Sequence, residues 1–141
     1  MEGKAFLEIA QKLAQMRSEP ALRSAVSRAY YAVYNCCIQF LDELGFKFEK
    51  DTPAHEKVYH YLNNASIEEI KTAAENLRHL RKRRNQADYN MTSIEFQNHI
   101  ICQLDLVSAQ AIISQIERYS QEPLRKQLRT GLREYHTKIN P

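Results

Sequence analysis

The sequence predicts an all-α fold, an antiparallel four-helix bundle with additional helices at its ends. Chain breakers are sparse, with 3 Gly and 4 Pro among 141 residues. Between them, apolar residues recur at the three- and four-residue steps of amphipathic helices. No stretch shows strand-like alternation, an internal repeat or low complexity. A composition 43% hydrophobic and 26% charged belongs to a globular chain rather than a disordered one, and the length fits a single domain, 1–141.

The first segment, about 4–17, puts Ala5, Ile9, Leu13 and Met16 on one stripe. Ser18 is placed to cap the next helix, with Pro20 in its first turn. That second helix, about 20–45, is the most apolar and stops at Gly45. Its alanines, Val26, Val33, Cys36, Cys37, Ile38, Phe40, Leu41 and Leu44 cover most of its circumference, as expected at the middle of a bundle. Its polar residues Ser24, Arg28, Tyr31, Asn35, Gln39 and Asp42 form one narrow stripe. The stripe reads either as a solvated edge or as a polar wall of a cleft, reached by Arg28 and Tyr31.

An irregular link at 46–51 leads to a third helix, about 53–64, opened by Thr52-Pro53. Ser66 and Glu69 have the spacing of a capping box for a fourth helix, 67 to about 88. After the break at Asn90, Thr92 or Ser93 is expected to cap a fifth, about 93–121. Its Ile94, Ile101, Leu104, Val107, Ala111, Ile112 and Ile116 are expected to face inward. Pro123 opens a last segment with Leu124, Leu128, Leu132 and Tyr135 on one stripe.

The net charge of +3 is unevenly placed. Residues 1–77 hold nine Lys/Arg against eleven Asp/Glu, whereas residues 78–141 hold eleven against six. A basic C-terminal half points to a polyanionic partner. The extension 123–141 carries Arg125, Lys126, Arg129, Arg133 and Lys138 against Glu134. Its leucine stripe is expected to pack on the bundle or on a second subunit rather than on RNA or a membrane. No apolar leader follows Met1, and Arg28, Asn35 and Gln39 interrupt the longest apolar run, so a cytoplasmic protein that does not span a membrane is expected. Cys36, Cys37 and Cys102 form no paired motif, which fits a reducing compartment.

The fourth helix carries the functional argument. Ile67, Ile70, Ala74, Leu77, Arg81, Arg84 and Asp88 follow one seam, and Ala73, Leu77, Leu80, Arg84 and Ala87 follow another. Arg84 lies on the inward side by both counts, while Lys82 and Arg83 are expected to lie off it. Burying an unpaired guanidinium costs on the order of several kcal/mol, so Arg84 needs a counter-charge or a wet cleft. Two readings stay open. Asp88 closes an internal ion pair, or Arg84 meets a phosphate while Asp88 orients it. Around it, Arg78-His79-Leu80-Arg81-Lys82-Arg83-Arg84 puts five positive charges in seven residues. With Tyr30, Tyr31, Tyr34 and Tyr89 for stacking, this matches the chemistry of single-stranded RNA recognition, with Arg81, Arg78, Arg28 and Tyr31 as candidate contacts.

Other chemistry is excluded by spacing. His55, His60, His79, His99 and His136 contain no pair at the three- or four-residue step of a helical zinc site, and isolated glycines cannot build a phosphate loop. Neither metal nor cofactor is expected. His79, five residues before Arg84, lies about 140° from its face.

The segment Ser27-Arg28-Ala29-Tyr30-Tyr31-Ala32-Val33-Tyr34 resembles the second-helix signature of HEPN domains. Leu80-Arg81-Lys82-Arg83-Arg84-Asn85-Gln86-Ala87-Asp88-Tyr89 resembles their motif helix, in the branch ending Ala-Asp-Tyr. Between them, His55-x-x-Val58-x-x-x-Leu62 also fits. The resemblance covers roughly 20–120. It implies a helical bundle, usually a homodimer, and often a metal-independent ribonuclease encoded beside a small nucleotidyltransferase as a toxin–antitoxin or defence pair. It places Arg84 and Asn85 at the catalytic arginine and polar positions, Asp88 beside them, and Tyr89 where the family carries histidine. Histidine exchanges protons near neutral pH, whereas an unperturbed tyrosine has a pKa of about 10. The resemblance thus implies an RNA- or nucleotide-binding domain, with a ribonuclease toxin as one outcome. The other is a non-catalytic module that binds a nucleotidyltransferase partner.

Overall fold

In a computed structural model, which describes residues 2–49 and 52–141, the chain is all-helical, with no strand among the described residues. The helices are α1 (Ala5–Gln15), α2 (Glu19–Glu43), α3 (Thr52–Asn63), α4 (Glu68–Tyr89), α5 (His99–Arg118) and α6 (Leu124–Ile139), with a 3-10 turn at Glu95–Gln97 before α5. The apolar circumference of α2 has the predicted consequence: it lies at the centre, packed against α1, α4 and α5. Ala25, Val26, Ala29, Ala32, Val33, Cys37 and Leu41 on it are fully buried. Ser18 caps it by accepting the N–H of Ala21, Pro20 sits in its first turn, and Gly45 ends it at φ +100°, a conformation that disfavours a side chain.

Three expectations about faces and caps are corrected. On α1 the buried side is Leu7, Ala10 and Ala14, while Ile9 and Met16 are 48% and 67% exposed. The two small alanines let α1 approach α2 closely, which a stripe chosen for bulk overlooks. On α5 the inward side is Cys102, Asp105, Leu106, Ala109, Ile112, Ile113 and Ile116. Leu104, Val107, Ala111 and, before the helix, Ile94 face outward. The cause is Asp105, a carboxylate that reads as surface but is drawn inward by Arg83. The expected caps also shift. Ser66 adopts a left-handed φ of +63° and caps nothing, Ile67 stands at the N-cap of α4, and Glu69 instead accepts hydrogen bonds from Arg118 and Tyr119. Asn98, rather than Thr92 or Ser93, caps α5 by accepting from the N–H groups of Ile100 and Ile101.

One helix, α5, is long and apolar enough to cross a membrane by length and composition. It also carries the ion-paired Asp105 and packs against α1, α2 and α4, the pattern of a core helix. Of the two placements left open for the basic extension, packing on the bundle is what occurs. Leu128, Gly131 and Leu132 of α6 are buried, and Tyr61 of α3 shares a hydrogen bond with His136 at 2.6 Å. Gly131 meets the turn after α3 so closely that a Cβ there would lie 1.9 Å from the carbonyl oxygen of Ala65.

Candidate functional site

Arg83 and Arg84 are neighbours on α4, and one residue of helix turns about 100°, so their side chains leave toward different partners. Arg83 turns toward α5 and is buried there. Its Nε and Nη2 donate to the two oxygens of Asp105 at 2.9–3.1 Å, and its Nη1 donates to Glu95 at 2.6 Å and Gln86 at 3.2 Å. The guanidinium lies over the ring of Phe96, 4.8 Å from its centre. Arg23 of α2 reaches the same ring and donates to the carbonyl oxygens of Gln86, Ala87, Asn90 and Ser93. It closes the C-terminus of α4, where backbone carbonyls lack helical partners and attract a cation. The expectation that Arg83 lies off the inward side is therefore wrong. It stands three residues after Leu80 and four before Ala87, both buried, so the same seam count contains it.

Arg84 turns toward α2. Its side chain is only 10% exposed, and among the described residues it makes no hydrogen bond. Among the described residues its one ionic contact is Asp88 at 3.8 Å, longer than a hydrogen bond. Asp88 meanwhile accepts the hydroxyl of Ser27 at 3.2 Å. The guanidinium carbon of Arg84 sits 5.3 Å from the ring centre of Tyr30 and 5.2 Å from that of Tyr31, cation–π contacts that orient it without satisfying its N–H groups. One turn earlier, Arg81 is held by Glu56 at 2.5 Å through Nη1, while its buried Nε has no partner.

Beside these arginines lies His55 of α3. Its ring stacks on Tyr34 with centroids 3.9 Å apart, and its Nδ1 shares a hydrogen bond with Tyr30 Oη at 2.5 Å. Burial, helped by the charges of Arg81 and Arg84, pushes the imidazole down to about 4, so it is neutral at physiological pH. Burial also pushes the Tyr30 phenol well above its ordinary range, so that group keeps its proton. His55 belongs to the site; in the sequence it stands out only within the His55-x-x-Val58-x-x-x-Leu62 segment of the resemblance.

The other predicted site residues divide between this cluster and its margins. Arg78, Arg81 and Asn85 line a groove of about 350 Å³ between α3 and α4, with Glu56, Tyr59, His60 and Lys82. Tyr31 lies against Arg84. Arg28 is exposed and turned toward Phe6 of α1, 5.8 Å from that ring centre. Tyr89 is 75% exposed at the end of α4, and Asn85 is exposed on the groove. The polar stripe of α2 continues to Asn35, Gln39 and Asp42, which line a separate hollow near Gly3 and Phe48.

Compared with protein-family models, with curated proteins and with solved structures, the chain finds no match in any of the three.

Proposed function

We propose that the chain is an RNA-binding domain of the HEPN kind, in which Arg84 receives a backbone phosphate at the junction of α2, α3 and α4. One observation carries this reading: a guanidinium nine-tenths buried and fixed over two tyrosine rings, its buried Nε without a hydrogen-bond partner and its nearest carboxylate, Asp88, 3.8 Å away. A buried cation left in that state costs stability unless an anion completes it, and the planar fork of arginine suits a phosphate. Arg81, Arg78 and Lys82 extend positive charge along the adjoining groove, as a phosphate chain requires. We place binding rather than cleavage as the main activity. Tyr89, at the position where the resemblance calls for histidine, is 75% exposed and makes no hydrogen bond among the described residues.

Fluorescence anisotropy with a labelled single-stranded RNA tests this. Arg84→Ala is expected to weaken binding by roughly 10-fold to 100-fold, the worth of a charge-assisted phosphate contact. Equal affinity in both proteins would remove the reading. Incubation with total RNA separates binding from a ribonuclease toxin.

A second observation favours a helical interaction module. Ile100, Leu104 and Val107 make an apolar seam on α5, each more than half exposed, with Met91 and Ile94 exposed before it. Such a seam fits another helix, either from a second copy in a homodimer or from a nucleotidyltransferase partner as the resemblance implies. Leu104→Glu is expected to turn a dimer into a monomer in sedimentation. An unchanged mass would leave a different protein as occupant of that face.

A further inference from the structure

The hydrogen-bonding inventory around His55 decides which of its nitrogens carries the proton. Tyr30 is 1% exposed, and its hydroxyl has a single hydrogen-bonding partner among the described residues, His55 Nδ1. A buried phenol that keeps its proton must donate it there. Nδ1 is therefore the acceptor, and the neutral ring holds its hydrogen on Nε2, which makes no hydrogen bond among the described residues. The ring cannot swing away, because it is clamped flat against Tyr34 at an interplanar angle of 6°. A fixed N–H thus belongs to the same cluster as two guanidiniums whose buried Nε groups have no hydrogen-bond partner: Arg84, which like His55 lies against Tyr30 and whose nearest carboxylate is 3.8 Å away, and Arg81 one turn earlier, whose Nη1 is held by Glu56.

We propose that His55, Arg81 and Arg84 form a single phosphate-binding site in which His55 contributes a neutral N–H donor through Nε2 rather than a catalytic base. The inference rests on the RNA reading above and names a further residue of that site. The ligand is a phosphate group, whether part of an RNA chain, a mononucleotide or free phosphate. Binding is coupled to proton uptake. The groups facing His55 are Tyr30 and Tyr34 from α2, Arg81 and Arg84 from α4, and Glu56 on α3 itself. Of these, the two guanidiniums oppose its protonation, and a bound phosphate cancels their charge. The bound protein therefore takes up a proton more readily, and affinity rises as pH falls from about 6.5 toward 4.

The test is the affinity of the intact protein for oligouridylate between pH 4.5 and 7.5 (roughly spanning the free and ordinary histidine values), because uracil does not titrate in that window. Wild type is expected to bind more tightly as pH falls, by up to about tenfold per pH unit. His55→Asn keeps an acceptor for Tyr30 and removes the Nε2 donor. It is expected to lose about tenfold in affinity at neutral pH and to flatten the pH profile. Uridine 5′-monophosphate and inorganic phosphate, run in parallel, distinguish the ligand sources: the arm whose affinity depends on His55 names the ligand. Nitrogen NMR of His55 supplies a readout independent of affinity, with the proton expected on Nε2 in the free protein. A proton on Nδ1, or an Asn variant with the wild-type profile, overturns the proposal while leaving RNA binding through Arg84 intact. Loss of binding in neither Arg84→Ala nor His55→Asn overturns both.

Discussion

Arg83 and Arg84 are adjacent in sequence, equally buried and chemically identical, yet their surroundings differ in kind. Around Arg83 every direction is filled: a two-pronged carboxylate, a second carboxylate, an amide oxygen and the face of Phe96. Around Arg84 there are two aromatic rings and one distant carboxylate. Burial alone thus says nothing about role. A guanidinium whose charge and most of whose N–H groups are met by carboxylates and an amide of its own protein holds the fold together. One left without hydrogen bonds in a fixed place is the kind that the proposed phosphate would complete, with its neighbour supplying the rigidity. Because Arg83 and Arg23 pin the end of α4, Arg84 is presented in one orientation, which would lower the entropic cost of the proposed binding.

The contrast breaks most visibly at Arg83. Arg83→Ala is expected to cost about 3–5 kcal/mol in urea unfolding, because Asp105 remains buried without its counter-charge. The burial that already pushes the Asp105 carboxyl upward then acts unopposed. Arg83→Met with Asp105→Leu is expected to cost much less than the single change, an outcome checked by a double-mutant cycle. At Arg84 the sign differs: Arg84→Met is expected to alter stability by less than about 1 kcal/mol, or to raise it, since an unsatisfied charge leaves the interior. A loss of several kcal/mol would instead make Arg84–Asp88 a structural pair.

Stability against pH sharpens the picture. His55 protonates near 6.5 when unfolded and near 4 when folded, so between those values the unfolded chain binds more protons. Its contribution is complete above about 6.5 and is lost as pH falls toward 4; His55→Asn is expected to flatten that part of the profile, read by thermal melting. The smallest effect is electrostatic. Arg81→Ala is expected to lower the slope of log affinity against log salt by about 1, one phosphate contact fewer.

Much of this was legible in the sequence. The seams of α2 and α4 located the central helix and the inward Arg84, because alanine, leucine and isoleucine at helical spacing leave little choice. What failed has one physical source. A charged residue was assigned to the surface unless a seam forced it inward, so Asp105 misplaced the inner face of α5 and Arg83 was set aside. Each is buried only because the other is, a relation between residues 22 apart that no local periodicity encodes. His55 was visible only as part of the segment that fits the resemblance, and its chemistry depends on the phenol of Tyr30, supplied by another helix.

The contact between Gly131 and Ala65 has a consequence for the width of the cleft. Ala65 lies in the turn that joins α3, which carries His55, to α4, which carries Arg81 and Arg84. The C-terminal helix therefore rests on the turn between the two helices that carry the proposed phosphate site. A methyl group at position 131 would act as a wedge under that turn, altering the gap between imidazole and guanidiniums without touching either.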